Sequence, residues 1–258
     1  VPITRLYHYP VKGLSPQPLE RVALTPGHGF PFDRMFGVAR ADSGFDPRNP
    51  MPLPKQRFFM LARDARLAAL QTRLDPETKR FTTHAAGGLV LDCNLGEPAG
   101  QEAAVEYFVK LFGLPPQSRP MLAYAAPHRF TDVSVTSAQM MNAISLINVA
   151  SVRQLGERIG AEVDPLRFRA NVYFEGWTPF SELERVGQEL RIGALRLRVL
   201  KRTQRCAATE VNPRTAERDL RIPQLLMQHY GHADMGVYAE VLEGGTLEPG
   251  LAVHMPAE

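Results

Sequence analysis

The chain has 258 residues, ample for a sizeable core in one large domain or two smaller ones. Its composition, 44% hydrophobic and 22% charged, is that of an ordinary soluble protein, and a net charge of +3 is too small and too dispersed to argue for nucleic acid. Two cysteines at unrelated positions, with no CxxC pair, exclude a disulfide framework and the usual zinc or iron-sulfur sites, and no apolar run is long enough for a membrane helix. A reducing, cytoplasmic setting is the expectation.

The 22 prolines and 20 glycines predict many short elements, as in β-rich barrels. An opening strand is expected within Val1 to Tyr9, then a PVKG turn, a strand at Glu20 to Leu24, and another starting on Asp33 and Arg34. Asp42 to Pro54 holds five prolines or glycines and reads as a loop. Short strands at Ala65 to Leu74, Lys79 to Thr83 and Gly88 to Asp92 suggest a small antiparallel meander or barrel. From Glu97 to Phe112 apolar residues recur at three and four, the spacing of an amphipathic helix. A domain junction is placed in the following LPPQSRP segment, giving domains 1–118 and 119–258, with a strand at Met121 to Ala125.

The second half opens on a polar loop with room for a short helix. SLINVASVRQLGERIG then reads as a buried strand ending at Asn148, followed by a helix that buries Val152, Leu155 and Ile159. Ser151 lies in its first turn, where free backbone amides make an anion seat, or where a serine merely caps. Arg167 and Arg169 lead into a strand at Asn171 to Phe174. Strands at Glu189 to Ile192 and Leu195 to Leu200, a helix at Ile222 to Tyr230, and strands at Met235 to Val241 and Leu251 to His254 complete the chain.

Chemistry concentrates after Leu195. Between Leu190 and Thr209 there is no acidic residue, while Arg191, Arg196, Arg198, Lys201, Arg202 and Arg205 lead up to Cys206 in sequence. Positive neighbours favour a thiolate, which is both a nucleophile and a soft metal ligand, and guanidinium groups suit a phosphate. The alternative is a buried, inert cysteine. Cys93, apolar on one side and acidic on the other, fits that structural role. No GxGxxG, Walker, GxSxG or HExxH motif is present. A Cys-His dyad remains open, with His229 and His232 the nearest candidates.

The order YPVKGL, FDRMFGVA, LINVASVRQL, RFRANVYFEG, RCAATEVNP, GVYAEV and LEPGL resembles the molybdenum cofactor sulfurase C-terminal (MOSC) domain behind its N-terminal β-barrel domain. It looks most like the branch containing the amidoxime-reducing component. The fold so implied is α+β, mainly β: an N-terminal β-barrel-like domain plus a MOSC β-barrel with peripheral helices. The resemblance implies Cys206 as the molybdenum ligand, with a molybdenum-molybdopterin cofactor whose phosphate and pterin meet Lys12, Arg34, Asn148, Ser151, Arg169, Asn171, Arg205 and Thr209. Tyr238 stands at the tyrosine of the GVY motif, and Arg202 and Arg205 are expected to hold the thiolate. Gly13 replaces the family's usual serine, which removes one hydroxyl, and Asn148 replaces a threonine or serine but still offers an amide donor.

The activity implied is reduction of N-hydroxylated, amidoxime-type, or N- or S-oxide small molecules. Too few cysteines for an iron-sulfur domain imply electrons from a separate flavin, haem or iron-sulfur protein. Two alternatives accompany it: a sulfur transferase carrying a persulfide on Cys206, and a non-enzymatic carrier of the cofactor. An association with pyridoxal phosphate belongs to the same family-level resemblance.

Overall fold

The computed structural model describes residues 1–254; the last four residues of the expected second domain, 255–258, lie outside the described residues. The first strand, β1 (Ile3–His8), buries Ile3, Leu6 and His8 on one side, and β2 (Gln17–Leu19) and β3 (Val22–Leu24) follow at once. Next comes β4 (Phe36–Ala39), which is buried throughout. It begins later than the sequence suggested: Asp33 and Arg34 form a turn in which the Asp33 amide donates to the Phe30 carbonyl and Arg34 takes a left-handed φ of 50°.

The strand expected over Ala65 to Leu74 is strand only in its second half. Ala65–Ala69 is a 3-10 turn that places Leu67 in the core, and pairing starts at β5 (Gln71–Leu74). With β6 (Arg80–Ala85) and β7 (Gly88–Asn94) it forms the expected three-stranded antiparallel meander. Helix α1 (Pro98–Phe112) starts with proline in its first turn, stops at Gly113 in the left-handed region (φ 62°), and buries Ala104, Val105 and Phe108. Strand β8 (Met121–Tyr124) runs antiparallel to β4.

A single turn of helix, α2 (Ala138–Met141), precedes β9 (Ile144–Asn148), and α3 (Val149–Ile159) carries the chain over to β10 (Val172–Phe174), parallel to β9. The hairpin of β11 (Glu189–Ile192) and β12 (Leu195–Gln204) leads through a 3-10 turn, Ala207–Glu210, to α4 (Ile222–Tyr230). Strands β13 (Asp234–Glu243), β14 (Gly245–Leu247) and β15 (Val253–His254) close the fold.

Eight of these strands form one sheet in the order β15-β11-β12-β13-β9-β10-β1-β2. Its pairing interleaves the ends of the chain: β1 lies antiparallel to β10, and β3 pairs with β14. One core, with Leu6, Leu146, Val172, Leu197 and Val237, sits against this sheet. A second, with Val11, Leu14, Phe36, Phe59, Phe81 and Phe108, fills the N-terminal half and takes in Val211 from just beyond Cys206. The architecture is mainly β with peripheral helices, as the resemblance implied.

Gly236 in β13 carries a φ of 76°, and a Cβ there would lie 2.5 Å from the Leu146 carbonyl oxygen and 3.3 Å from Nη2 of Arg205. Gly236→Ala is expected to cost on the order of 1–3 kcal/mol, read as a lowered urea midpoint. An unchanged midpoint would mean that the strand can flatten without pressing on β9.

Candidate functional site

Where β12 ends, the chain turns inward. Arg205 is held by its backbone amide to the Ala233 carbonyl, and the Cys206 carbonyl accepts from both the amide (3.0 Å) and the hydroxyl (2.9 Å) of Thr209. Thr209 thus fixes the 3-10 turn that presents the sulfur. Cys206 opens on a cleft of about 270 Å³ between the two cores. The cleft is lined by Lys12, Arg34, Arg169, Asn171, Arg205, Cys206, Thr209 and Tyr238, eight of the ten residues singled out in the sequence.

Several of those side chains are already occupied. Arg205 donates from Nε to the Met235 carbonyl (2.8 Å), from Nη1 to the Phe168 carbonyl (2.9 Å) and from Nη2 to Met235 again. Asn171 accepts at Oδ1 from the Ser145 amide and hydroxyl and donates to the Tyr7 carbonyl, tying β1, β9 and β10 together. Arg34 meets both Asp33 oxygens (2.7 and 2.6 Å) and donates to the Arg169 carbonyl (2.9 Å).

Arg169 is different. It ends the 3-10 turn Pro165–Phe168, which Asp164 caps by accepting from the Leu166 amide, and it takes a left-handed φ of 52° that throws its side chain into the cleft. Its guanidinium carbon lies 4.3 Å from the centre of the Tyr9 ring, and that of Arg34 4.2 Å from the same ring. Nη2 of Arg169 is buried with no hydrogen-bond partner. Burial, with the like charge of Arg34 beside it, brings Arg169 down to about 10, so it stays cationic at neutral pH. A buried cation with a free N–H is an anion site.

The group that touches the sulfur is one the sequence did not suggest. Lys55, which opens a 3-10 turn just after the proline-rich loop, donates from Nζ to Sγ of Cys206 at 3.2 Å. Arg202, expected beside the thiol, instead donates from Nε to the Leu183 carbonyl at 2.8 Å, and Arg205 is held by carbonyls as described. Arg196 and Arg198 pair with Glu189, Glu243 and Glu240 across β11 and β13, so of the basic run only Lys201, Arg202 and Arg205 reach the cleft. No histidine among the described residues lines it, so neither candidate dyad partner stands at Cys206; His232 accepts from the Asp234 amide elsewhere.

Asp132 joins two lysines. Lys12, buried, donates to its Oδ1 and to the Phe130 carbonyl (3.0 Å), and Lys55 lies 3.5 Å from its Oδ2. Burial lowers Lys12, and the attraction of Asp132 offsets only part of that. For Lys55 burial is likewise the largest influence, but Asp132 and the Cys206 sulfur outweigh it and raise its affinity for a proton. Asp132 itself, though 44% exposed, is held well below the usual carboxylate range: burial pushes it up, and Lys12 and Lys55 override that.

Asn148 and Ser151 lie elsewhere. Asn148 caps α3 by accepting from the Ala150 amide and donates to the Trp177 and Thr178 carbonyls. The Ser151 hydroxyl donates to the carboxylate of Glu182 (2.9 Å) and accepts from the Phe180 amide. Glu182 is 1% exposed, and burial pushes it up. The expected anion seat is therefore an internal hydrogen-bond network. Cys93 is half-buried in β7 against the N-terminal core, as its sequence setting suggested.

Two outcomes follow. Ser151→Ala leaves the Glu182 carboxylate short of a donor and is expected to lower stability by about 1–3 kcal/mol in urea denaturation, with inorganic phosphate binding in calorimetry unmoved. Asp132→Asn weakens the protein at pH 7. Because the folded carboxylate titrates below its unfolded counterpart, its stabilisation is present above the ordinary value of 3.8 and is lost as pH falls through the depressed folded value. The gap between wild type and variant in urea midpoint should close in strong acid; a gap that persists there would mean the residue acts through packing.

A model of the MOSC N-terminal beta barrel domain matches residues 1–114, and a model of the MOSC domain matches residues 128–254. Molybdenum cofactor sulfurase of Drosophila mojavensis is 36% identical over 104 residues, 39% of this chain and 13% of that protein; that of Drosophila grimshawi is 45% identical over 75 residues, 28% and 9%. The chain thus spans only a small fraction of these relatives. Among solved structures, YiiM from Geobacillus stearothermophilus (21% identity, TM-score 0.36) aligns over 44% of this chain and 54% of its own, and the YUAD protein from Bacillus subtilis (10%, TM-score 0.42) over 98% and 93%. With the two family models covering nearly all of it, the chain belongs to the MOSC domain proteins, with the family's N-terminal β-barrel domain ahead of the MOSC domain.

Proposed function

We propose that the cleft binds a molybdenum-molybdopterin cofactor between an N-terminal domain ending near residue 118 and the MOSC domain, and that the protein is an oxidoreductase acting on N-hydroxylated, amidoxime-type, or N- or S-oxide small molecules. The MOSC family is associated with this cofactor. One observation carries the reading: a cysteine sulfur opens on the same cleft as a buried arginine with an unpartnered N–H. A soft metal ligand and an anion site are the two things a metal on a phosphate-bearing organic ligand needs. Among the described residues no three His, Cys, Asp or Glu side chains cluster as a metal site, so a metal at Cys206 has to bring its other ligands with it.

Cys206 would ligate the metal, and Arg169, Arg34 and Lys12 would hold the phosphate, Lys12 by exchanging Asp132 for it. The bound cofactor supplies two-electron chemistry at its metal. Around it, the carbonyl-anchored Arg205 keeps the 3-10 turn in place. Lys55 holds a proton at Nζ, directs one N–H at the sulfur and stands at the edge of the reacting centre. Tyr238, whose phenol burial pushes up, remains protonated and is a neutral donor on the wall. Electrons would come from a separate flavin, haem or iron-sulfur protein.

A second reading rests on the Lys55–Cys206 contact, which also suits a persulfide anion, and on the names of the sulfurase relatives. Purified protein is expected to contain molybdenum and pterin in near-equal amounts, and Cys206→Ala to lose the metal. Metal-free protein carrying cyanide-releasable sulfur on Cys206 would overturn the redox reading in favour of sulfur transfer.

A further inference from the structure

The cleft holds more positive charge than a cofactor phosphate can balance. Eight lysines and arginines line it against two carboxylates, Asp33 and Asp132, and a third, Asp219 outside the lining, holds Arg167. That leaves five cations uncompensated, and a phosphate brings about two negative charges at pH 7. Two of the five, Lys201 and Arg202, lie near the end of β12. Lys201 and Arg202 are exposed, line the cleft, and form no ion pair among the described residues. Between them and the sulfur stands Thr203, which is 3% exposed and lines the cleft with its hydroxyl oxygen buried and unpartnered. Two cations with no carboxylate partner, Arg202 keeping only its Nε on the Leu183 carbonyl, beside an unused hydroxyl form a recognition surface for an anion, separate from the deep site at Arg169.

We infer that the substrate is itself an anion: a reducible N- or S-oxygenated compound bearing a carboxylate or comparable group, which the Lys201–Arg202 rim binds while the oxygenated end faces Cys206. This rests on the redox reading above. At roughly 3.3 Å per strand residue, Arg202 lies about 13 Å along the chain from Cys206, which a long basic side chain shortens to the span of a substituted aromatic ring. The carboxylate and the reducible atom therefore sit at opposite ends of the molecule. A cationic amidine-type compound is disfavoured by the same field.

The test uses molybdenum-loaded protein with a chemical reductant, so that no donor protein competes for the rim, and compares 4-carboxybenzamidoxime with benzamidoxime. The carboxylate is expected to show a roughly tenfold lower KM, the scale of two solvent-screened ion pairs. That advantage should vanish near 1 M salt, where the Debye length is about 3 Å, and shrink in Lys201→Glu. Calorimetry on the same protein gives a readout without turnover: benzoate should bind more tightly than benzamide, and Lys201→Glu should remove the difference. Equal KM values for the two substrates would overturn the inference and leave the redox reading standing. No turnover of either, with benzoate still bound through Lys201, would remove the redox reading and keep the anion rim. Neither turnover nor a benzoate preference would remove both. Lys201→Glu slowing only reactions driven by a donor protein would assign the rim to docking of that partner and overturn the inference.

Discussion

One carboxylate between two ammonium groups holds the site together. Asp132 comes from an irregular loop, Lys12 from the turn after the first strand, and Lys55 from a 3-10 turn that follows a proline-rich loop, and without Asp132 the buried Lys12 would have only the Phe130 carbonyl to accept from it. Taking an ammonium group out of water is costly unless it is paired. The pairing therefore fixes where both lysines stand, and Lys55 in turn meets the sulfur at the end of β12. The arrangement is a row of alternating charge that runs from the N-terminal half of the chain to Cys206. It also makes Lys12 available, because a carboxylate that is 44% exposed is a partner an incoming phosphate can displace.

How much of this could be read from the sequence depended on distance along the chain. The strands around Cys206 and the amphipathic α1 and α3 follow periodicities within twenty residues, and they stand where expected. The direction of the basic side chains does not follow from such a pattern. Alternation along β12 and its pairing with β11 and β13 send Arg196 and Arg198 to glutamates on the neighbouring strands, and carbonyls of Leu183, Met235 and Phe168 take the donors of Arg202 and Arg205. Lys55 opens a three-residue 3-10 turn, too short to show any periodicity, 151 residues from its sulfur partner. Only the closed fold brings them together. Ser151 failed as an anion seat for a similar reason, since a hydroxyl in a helix's first turn suits a phosphate and a glutamate equally, and Glu182, 31 residues on, claims it.

The cleft divides its cations by depth. Arg34 and Arg169 face one tyrosine ring at nearly equal distances, an arrangement in which the electron-rich face of Tyr9 eases the repulsion between two like charges. Lys201 and Arg202 stand in water at the mouth. A deep pair held by an aromatic ring suits a group that stays, and a solvated rim suits one that comes and goes.

The pairing of β1 with β10 has a bearing on biosynthesis. The strand at residues 3–8 pairs with β2 on one side but has its other antiparallel partner at 172–174, and β3 has its own at 245–247, so β3 and one edge of β1 have nothing to pair with until a distant part of the chain has been made. Contacts of such wide separation close slowly, and an unpaired apolar strand is exposed to aggregation while it waits. These pairings are therefore completed late, and cutting the chain near residue 118 would leave each piece without strands that the other supplies.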